Sequence, residues 1–153
     1  MIRKRKNFLI YKTKRFLIKG LQLANNEFEQ IVEDFEFLED WEDRYRYVIE
    51  EGKKMPALDE SLKVDKNKVN GCASQVWFHF SNSDTLYFDG DSDAIIVRGL
   101  IAILRKLYNG TPIDEVKNIS AWKNLKRLGL DEHLSTQRSN GLKAMVDKIS
   151  ALN

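Results

Sequence analysis

The run VNGCASQVWFHFSNSDTLYF, Val69 to Phe88, decides the fold class and holds the first suspect for chemistry. From Ser74 onward the apolar residues fall on alternate positions. Val76, Phe78 and Phe80 point one way and Gln75, Trp77 and His79 the other, the period of a half-buried strand. Ser81 to Asp84 reads as a turn, after which Leu86 and Phe88 continue the apolar face on a partner strand. A hairpin is therefore predicted, with a short strand around Lys68 to Asn70 pairing beside it and one face of the small antiparallel sheet set against helices. Ahead of the hairpin the pattern breaks into a glycine, a thiol and two small residues. Gly71 accepts positive φ without steric cost, so the backbone folds back there and places Cys72 at a loop tip, its sulfur presented to solvent or a partner.

Helices are predicted on both sides. Phe28, Ile31, Val32, Phe35 and Leu38 recur at amphipathic spacing. Asp40 is placed as the cap of a second helix that carries Tyr45, Val48 and Ile49 on one face and ends at Pro56. Residues 57 to 66 are polar, with charges of both signs, and read as a surface loop. Gly90-Asp91-Ser92-Asp93 is read as the opening of a core helix bearing Ile96, Val97, Leu100, Ile101 and Leu104, its aspartates acting as caps. Asn109-Gly110 stops that helix, and Thr111-Pro112 with Asp114 is expected to start a short one. Trp122 and Leu125 lie on another, closed by Gly129. Ser135 caps the last helix, whose stripe is Leu142, Met145, Val146, Ile149 and Leu152. Arg138 extends that stripe and is expected to be partly buried and paired. Gly141, inside the same helix, costs about 1 kcal/mol against alanine, which implies that something packs close to its backbone. The class is α+β, a small antiparallel sheet packed against helices.

The chain has 153 residues, enough for one domain with a real core, and is 42% hydrophobic and 31% charged. Its single cysteine cannot form an intramolecular disulfide, so the expected compartment is cytoplasmic. No apolar run reaches the length of a membrane span. The net charge of +2 hides an asymmetry. Residues 1 to 26 hold 8 of the 25 basic residues and no acid, leaving 17 against all 23 acids, a body near −6. The division is a basic N-terminal extension, 1–25, and a folded domain, 26–153. The extension is read as solvated, with a nucleic-acid or membrane-surface arm, or a targeting peptide, as the sharper alternatives.

Other site chemistries fit poorly. His79 alternates onto a sheet face and His133 precedes a helix cap, so neither is marked as an activated base for a Cys-His hydrolase. One cysteine and two scattered histidines do not make a closed set of zinc or iron-sulfur ligands, so no metal and no cofactor-binding site is expected. The pair Asp91 and Asp93, read as caps, would also repel a phosphate. What remains is a thiol acting without a local base.

Three blocks then carry a resemblance: VNGCASQVW (Val69 to Trp77), GDSDAIIVRGLIA (Gly90 to Ala102) and EHLSTQRSNGLKAM (Glu132 to Met145). Together with the helix holding Tyr45, Ile49, Gly52 and Pro56, they resemble the SufE family of sulfur-acceptor proteins, over about residues 30 to 152; the paralogous CsdE proteins share the blocks. The resemblance implies a SufE/IscU-like fold. It implies that Cys72 takes sulfane sulfur from a pyridoxal-phosphate cysteine desulfurase of SufS or CsdA type, stimulates it, and passes sulfur to the SufBCD scaffold. Pyridoxal phosphate would belong to the partner. Asp93 and Arg138 match positions thought to hold the cysteine loop and influence the desulfurase contact, while Gly71, Ser74, Gln75 and Trp77 match the flank of that loop. The family's cysteine is often sheltered in an apolar hollow at rest.

The expected function is thus a persulfide sulfur carrier, a transfer component and desulfurase activator rather than a stand-alone enzyme, monomeric or weakly dimeric. Exchange between sulfurs needs access and a good leaving thiolate rather than a water-activating base. A single thiol also keeps its cargo, since a second would resolve the persulfide into a disulfide. The rival readings are an IscU-like cluster scaffold or binding module, and nucleic-acid binding through the tail.

Overall fold

The structure is a computed structural model and describes residues 27–152. The expected basic extension lies outside the described residues. Helix α1 runs to residue 36 and buries Phe28, Ile31 and Phe35, as its periodicity predicts. Helix α2, Trp41–Lys54, begins after Asp40, but the Asp40 side chain makes no capping bond; Glu42 and Asp43 instead set negative charge in the first turn. Arg44 ties the two helices by donating to the carbonyls of Leu38 and Phe35. Met55 leaves the helix in extended conformation directly before Pro56.

The hairpin forms, with Phe88 on the partner strand as expected but Leu86 outside it. Strand β1, Val76–Phe80, pairs antiparallel with β3, Phe88–Ser92, from Val76 opposite Ser92 to Phe80 opposite Phe88. Gly90, Asp91 and Ser92 are therefore strand residues and not a helix opening. Helix α3, Ile95–Tyr108, starts later, behind Ala94, with no side-chain cap. Capping preference gave way to the ladder, which uses the backbone groups of these residues. Leu86 lies on a separate two-residue strand, β2 (Thr85–Leu86), paired with β4 (Thr111–Pro112). Thr111-Pro112 is thus a strand, followed by a 3-10 turn at Ile113–Asn118.

A second correction concerns the outer face of β1. Trp77 is buried, covered by the segment 57–67, which holds two 3-10 turns and buries Leu58 and Asn67. The Lys63 ammonium stands 5.7 Å from the Trp77 ring centre, and Lys68 pairs with Trp77 as the expected third strand, reduced to one bridge. Charge on a segment did not mean solvent on all its sides.

Helix α3 is the axis of the core, with Ile96, Val97, Leu100, Ile101, Ile103 and Leu104 all buried. Helix α2 meets it backbone to backbone. A methyl on Gly52 would lie 2.6 Å from the Gly99 nitrogen, and one on Gly99 would lie 2.1 Å from the Val48 carbonyl oxygen. Beside this crossing, Arg98 of α3 donates to the carbonyls of Gly52 and Met55 and to the buried carboxylate of Asp91. Asp91 also accepts from the backbone of Leu58 and Ser92. Burial alone would raise its pKa; those two amides, with Arg98 and Lys63, hold it below the usual range.

Helix α4 (Ala121–Arg127) is closed by Gly129 at φ +72, and α5 (Thr136–Ser150) begins at Ser135, whose hydroxyl accepts from the Arg138 amide. Leu142, Met145 and Ile149 bury α5 in the core.

Gly99→Ala is expected to lose about 2 kcal/mol or more in urea unfolding, because the helices must separate to admit the methyl. A loss below about 0.5 kcal/mol would mean that the crossing is not tight.

Candidate functional site

The loop carrying Cys72 is closed at its base by the Val69 amide, which donates to the Val76 carbonyl at 2.9 Å. Gly71 has φ +94, the left-handed turn its identity allowed, and it reverses the chain against α5. There the outcome departs from the displayed loop tip and agrees with the shelter that the resemblance implies. Cys72 is half-buried, and its sulfur turns inward, 3.6 Å from the Gly141 carbonyl oxygen of α5. Gly141 is the bare position it faces: an added Cβ would lie 3.6 Å from the sulfur and 3.9 Å from the Cys72 Cβ, ordinary van der Waals distances. The close neighbour implied by a glycine inside that helix is the thiol itself.

The sulfur sits at a hollow of about 240 Å³. Ala94, Val97 and Leu100 from the start of α3, and Leu142 and Met145 from α5, give it apolar walls; Ser74, Ser135, Gln137 and Arg138 add polar groups. Burial pushes the Cys72 thiol above its ordinary pKa, since withdrawing the sulfur from water disfavours the thiolate. Neither histidine lines the hollow. His133 is stacked on Trp41, with ring centres 4.6 Å apart, and His79 is half-buried on β1.

The remaining predicted residues divide by position. Asp93 is exposed and is not a helix cap. Its carboxylate accepts from the Gln75 amide at 3.0 Å, while the Asp93 amide donates to the Gln75 carbonyl at 3.3 Å. This double bond pins the end of the cysteine loop to the approach to α3. Ser74 lines the hollow, whereas Trp77 is packed on β1 with its indole N–H buried and without a partner among the described residues.

Arg138 is neither buried nor ion-paired among the described residues. It is exposed, with its guanidinium 5.6 Å from the Tyr45 ring centre, between the thiol hollow and a groove lined by Trp41, Tyr45 and Ile49. The stripe placed it one turn too early on α5, where the core has already ended. Asp93 is spent on Gln75 and Arg138 on Tyr45, so the two are not bonded to each other. Tyr45 and Val97 enter this neighbourhood without any local signal; both read as ordinary core-facing positions.

With this geometry, the comparisons are specific. The family model "SufE: Fe-S metabolism associated domain" matches residues 29–153. The chain belongs to the SufE family. An uncharacterized SufE-like protein of Rhizobium etli is 51% identical over 136 residues, covering 86% of this chain and 92% of that protein. A second SufE-like protein, from Rhizobium meliloti, is 48% identical over 128 residues, or 80% of this chain and 91% of that one. The solution structure of a hypothetical protein from Thermus thermophilus superposes with a TM-score of 0.64 at 20% identity, covering 82% of this chain and 91% of that chain, and shares its α+β fold. SufE membership places the protein in Fe-S metabolism. Among the described residues no group of three or more His, Cys, Asp or Glu side chains is gathered as a metal site, and no helix is long and apolar enough to cross a membrane.

Burial of the thiol makes a direct prediction. Iodoacetamide should alkylate native Cys72 more slowly at pH 7.5 than the urea-unfolded chain, and the rate should climb with pH to a midpoint above that of a free cysteine. Equal rates in the two states would contradict the sheltered position.

Proposed function

We propose that this SufE-family protein is a persulfide carrier that accepts sulfane sulfur on Cys72 from a cysteine desulfurase in the cytoplasm and delivers it to a SufBCD-type scaffold. The observation that supports this reading most is the half-buried thiol at the edge of a hollow with both apolar and polar walls, in a loop reversed at a glycine, with no histidine in the lining. Such a site suits exchange between sulfurs and does not suit hydrolysis.

In the transfer, the Cys72 thiol first gives up its proton to the medium, and its thiolate attacks the terminal sulfur of the donor persulfide. A new S–S bond forms on Cys72, the donor S–S bond breaks, and the bonding pair leaves on the donor cysteine as thiolate. No external oxidant or reductant is consumed, because the sulfane sulfur is passed on in the same oxidation state. Pyridoxal phosphate stays with the desulfurase. Removing the product persulfide frees the donor cysteine, which is how an acceptor stimulates its partner.

The raised thiol pKa sets a condition. At rest the nucleophilic form is disfavoured, so movement of the loop out of the hollow on docking, with Gly71 as the pivot, would favour the reaction. The surroundings of the mouth suit a protein partner. Ile95, 61% exposed beside Ala94, offers apolar contact, and the exposed Arg138 offers a cation held over an aromatic ring.

Incubation with a cysteine desulfurase, pyridoxal phosphate and cysteine should add about 32 Da per sulfur to the intact chain, and Cys72→Ser should gain nothing. Absence of the gain with a competent desulfurase would reject the carrier reading. Arg138→Ala should change stability by less than about 1 kcal/mol, as befits an exposed cation–π contact, yet slow the loading of Cys72. Unchanged loading would remove Arg138 from the docking surface.

A further inference from the structure

Glycine at position 141 is not explained by the resting thiol. It lies inside α5, where a residue without a side chain weakens the helix relative to alanine. Yet a methyl built there would meet nothing closer than the Cys72 sulfur at 3.6 Å, an ordinary van der Waals separation. This contrasts with Gly52, Gly90 and Gly99, where an added methyl would fall 2.1 to 2.8 Å from a neighbouring atom. Those three glycines are required by the fold; Gly141 is not.

The missing methyl leaves room on one particular side of the sulfur. A second sulfur bonded to Cys72 Sγ would lie about 2.05 Å from it. A methyl 3.6 Å from the same Sγ would exclude that atom from much of the arc it sweeps, because a sulfur and a methyl need about 3.5 Å or more between them. The straight line to the Gly141 carbonyl is likewise closed, and the room beside the sulfur is the space above the bare Cα and the adjoining hollow.

We infer that Gly141 is a cargo-specificity residue: its bare Cα reserves the space that lets a persulfidated Cys72, and not only the thiol, sit within the hollow. The inference rests on the persulfide-carrier reading of Cys72. An alanine there would preserve the thiol form and force the persulfide outward, where solvent reductants reach it.

The test loads sulfur chemically, so that no desulfurase enters. In wild type and Gly141→Ala, Cys72 is converted to its mixed disulfide with 5-thio-2-nitrobenzoate, and inorganic sulfide displaces the aromatic thiolate to leave the persulfide, verified by intact mass. Dithiothreitol then removes the sulfane sulfur, ending as its cyclic disulfide plus sulfide, and the loss of mass is timed. The expected result is removal at least about three-fold faster from Gly141→Ala, with a melting temperature no lower than wild type and alkylation of the free thiol unchanged. A smaller acceleration overturns the inference. So does a lowered melting temperature or failure to fold, since either would mean that the resting thiol already needs the glycine. Failure of a desulfurase to load wild-type Cys72, with the chemically loaded pair behaving as expected, would remove the carrier reading and with it the cargo role, leaving only the room that Gly141 gives a persulfide on Cys72.

Discussion

The close approach of α2 and α3 at Gly52 and Gly99 is the constraint on which the remaining architecture hangs. Two helices without side chains at their crossing bring backbone against backbone, and this brings Arg98 within reach of the last carbonyls of α2. The same guanidinium pairs with Asp91, which joins β3 and the segment over Trp77 to the helix pair. A buried carboxylate holding two amides and a guanidinium is costly to disturb at any one member, because each loss leaves another polar group without its partner. The position of the cysteine loop follows from this frame: β3 fixes β1, and β1 begins where the loop ends.

The site combines rigidity on one side with freedom on the other. Asp93 fastens Gln75 by two hydrogen bonds, and Val69 is fastened to Val76, so the ends of the loop are held. Between them, among the described residues, the Cys72 side chain has one long hydrogen-bonding contact, to the Gly141 carbonyl, and a hollow it does not fill. A group that must sometimes be hidden and sometimes delivered is well served by firm anchors and a weakly held middle. Burial favours the protonated thiol, which fits the proposed carrier role.

Sequence reading and structure agree where the signal is periodic and disagree where two local preferences compete. The stripes of α1, α3 and α5 were legible because a buried helix face must repeat every three to four residues, and the alternation at Val76, Phe78 and Phe80 was legible for the same kind of reason. Asp91 and Asp93 were misread because aspartate before an apolar run is a capping pattern, yet the ladder with β1 claimed Asp91, and Gln75 claimed Asp93. Arg138 was misplaced because a stripe gives direction around a helix but not how far along it the core extends. The loop residue Gly71 was read correctly for its conformation, while the shelter of the sulfur came only from the resemblance and not from the loop residues themselves.

By itself, then, the sequence determined the α+β class, the positions of the main helices and the reversal at Gly71, and it singled out Cys72 as the candidate for chemistry; all of these depend on residues within about one helical turn or one strand of each other. Gly141 also announced a close neighbour without naming it. Only the tertiary structure decided that this neighbour is the thiol, 69 residues away along the chain, that the sulfur faces a hollow and is not displayed, and that Arg138 rests on Tyr45. Those facts depend on which helix face lies over which loop, and that is settled by the packing of α2, α3 and α5 as a whole, information carried by no local stretch of chain.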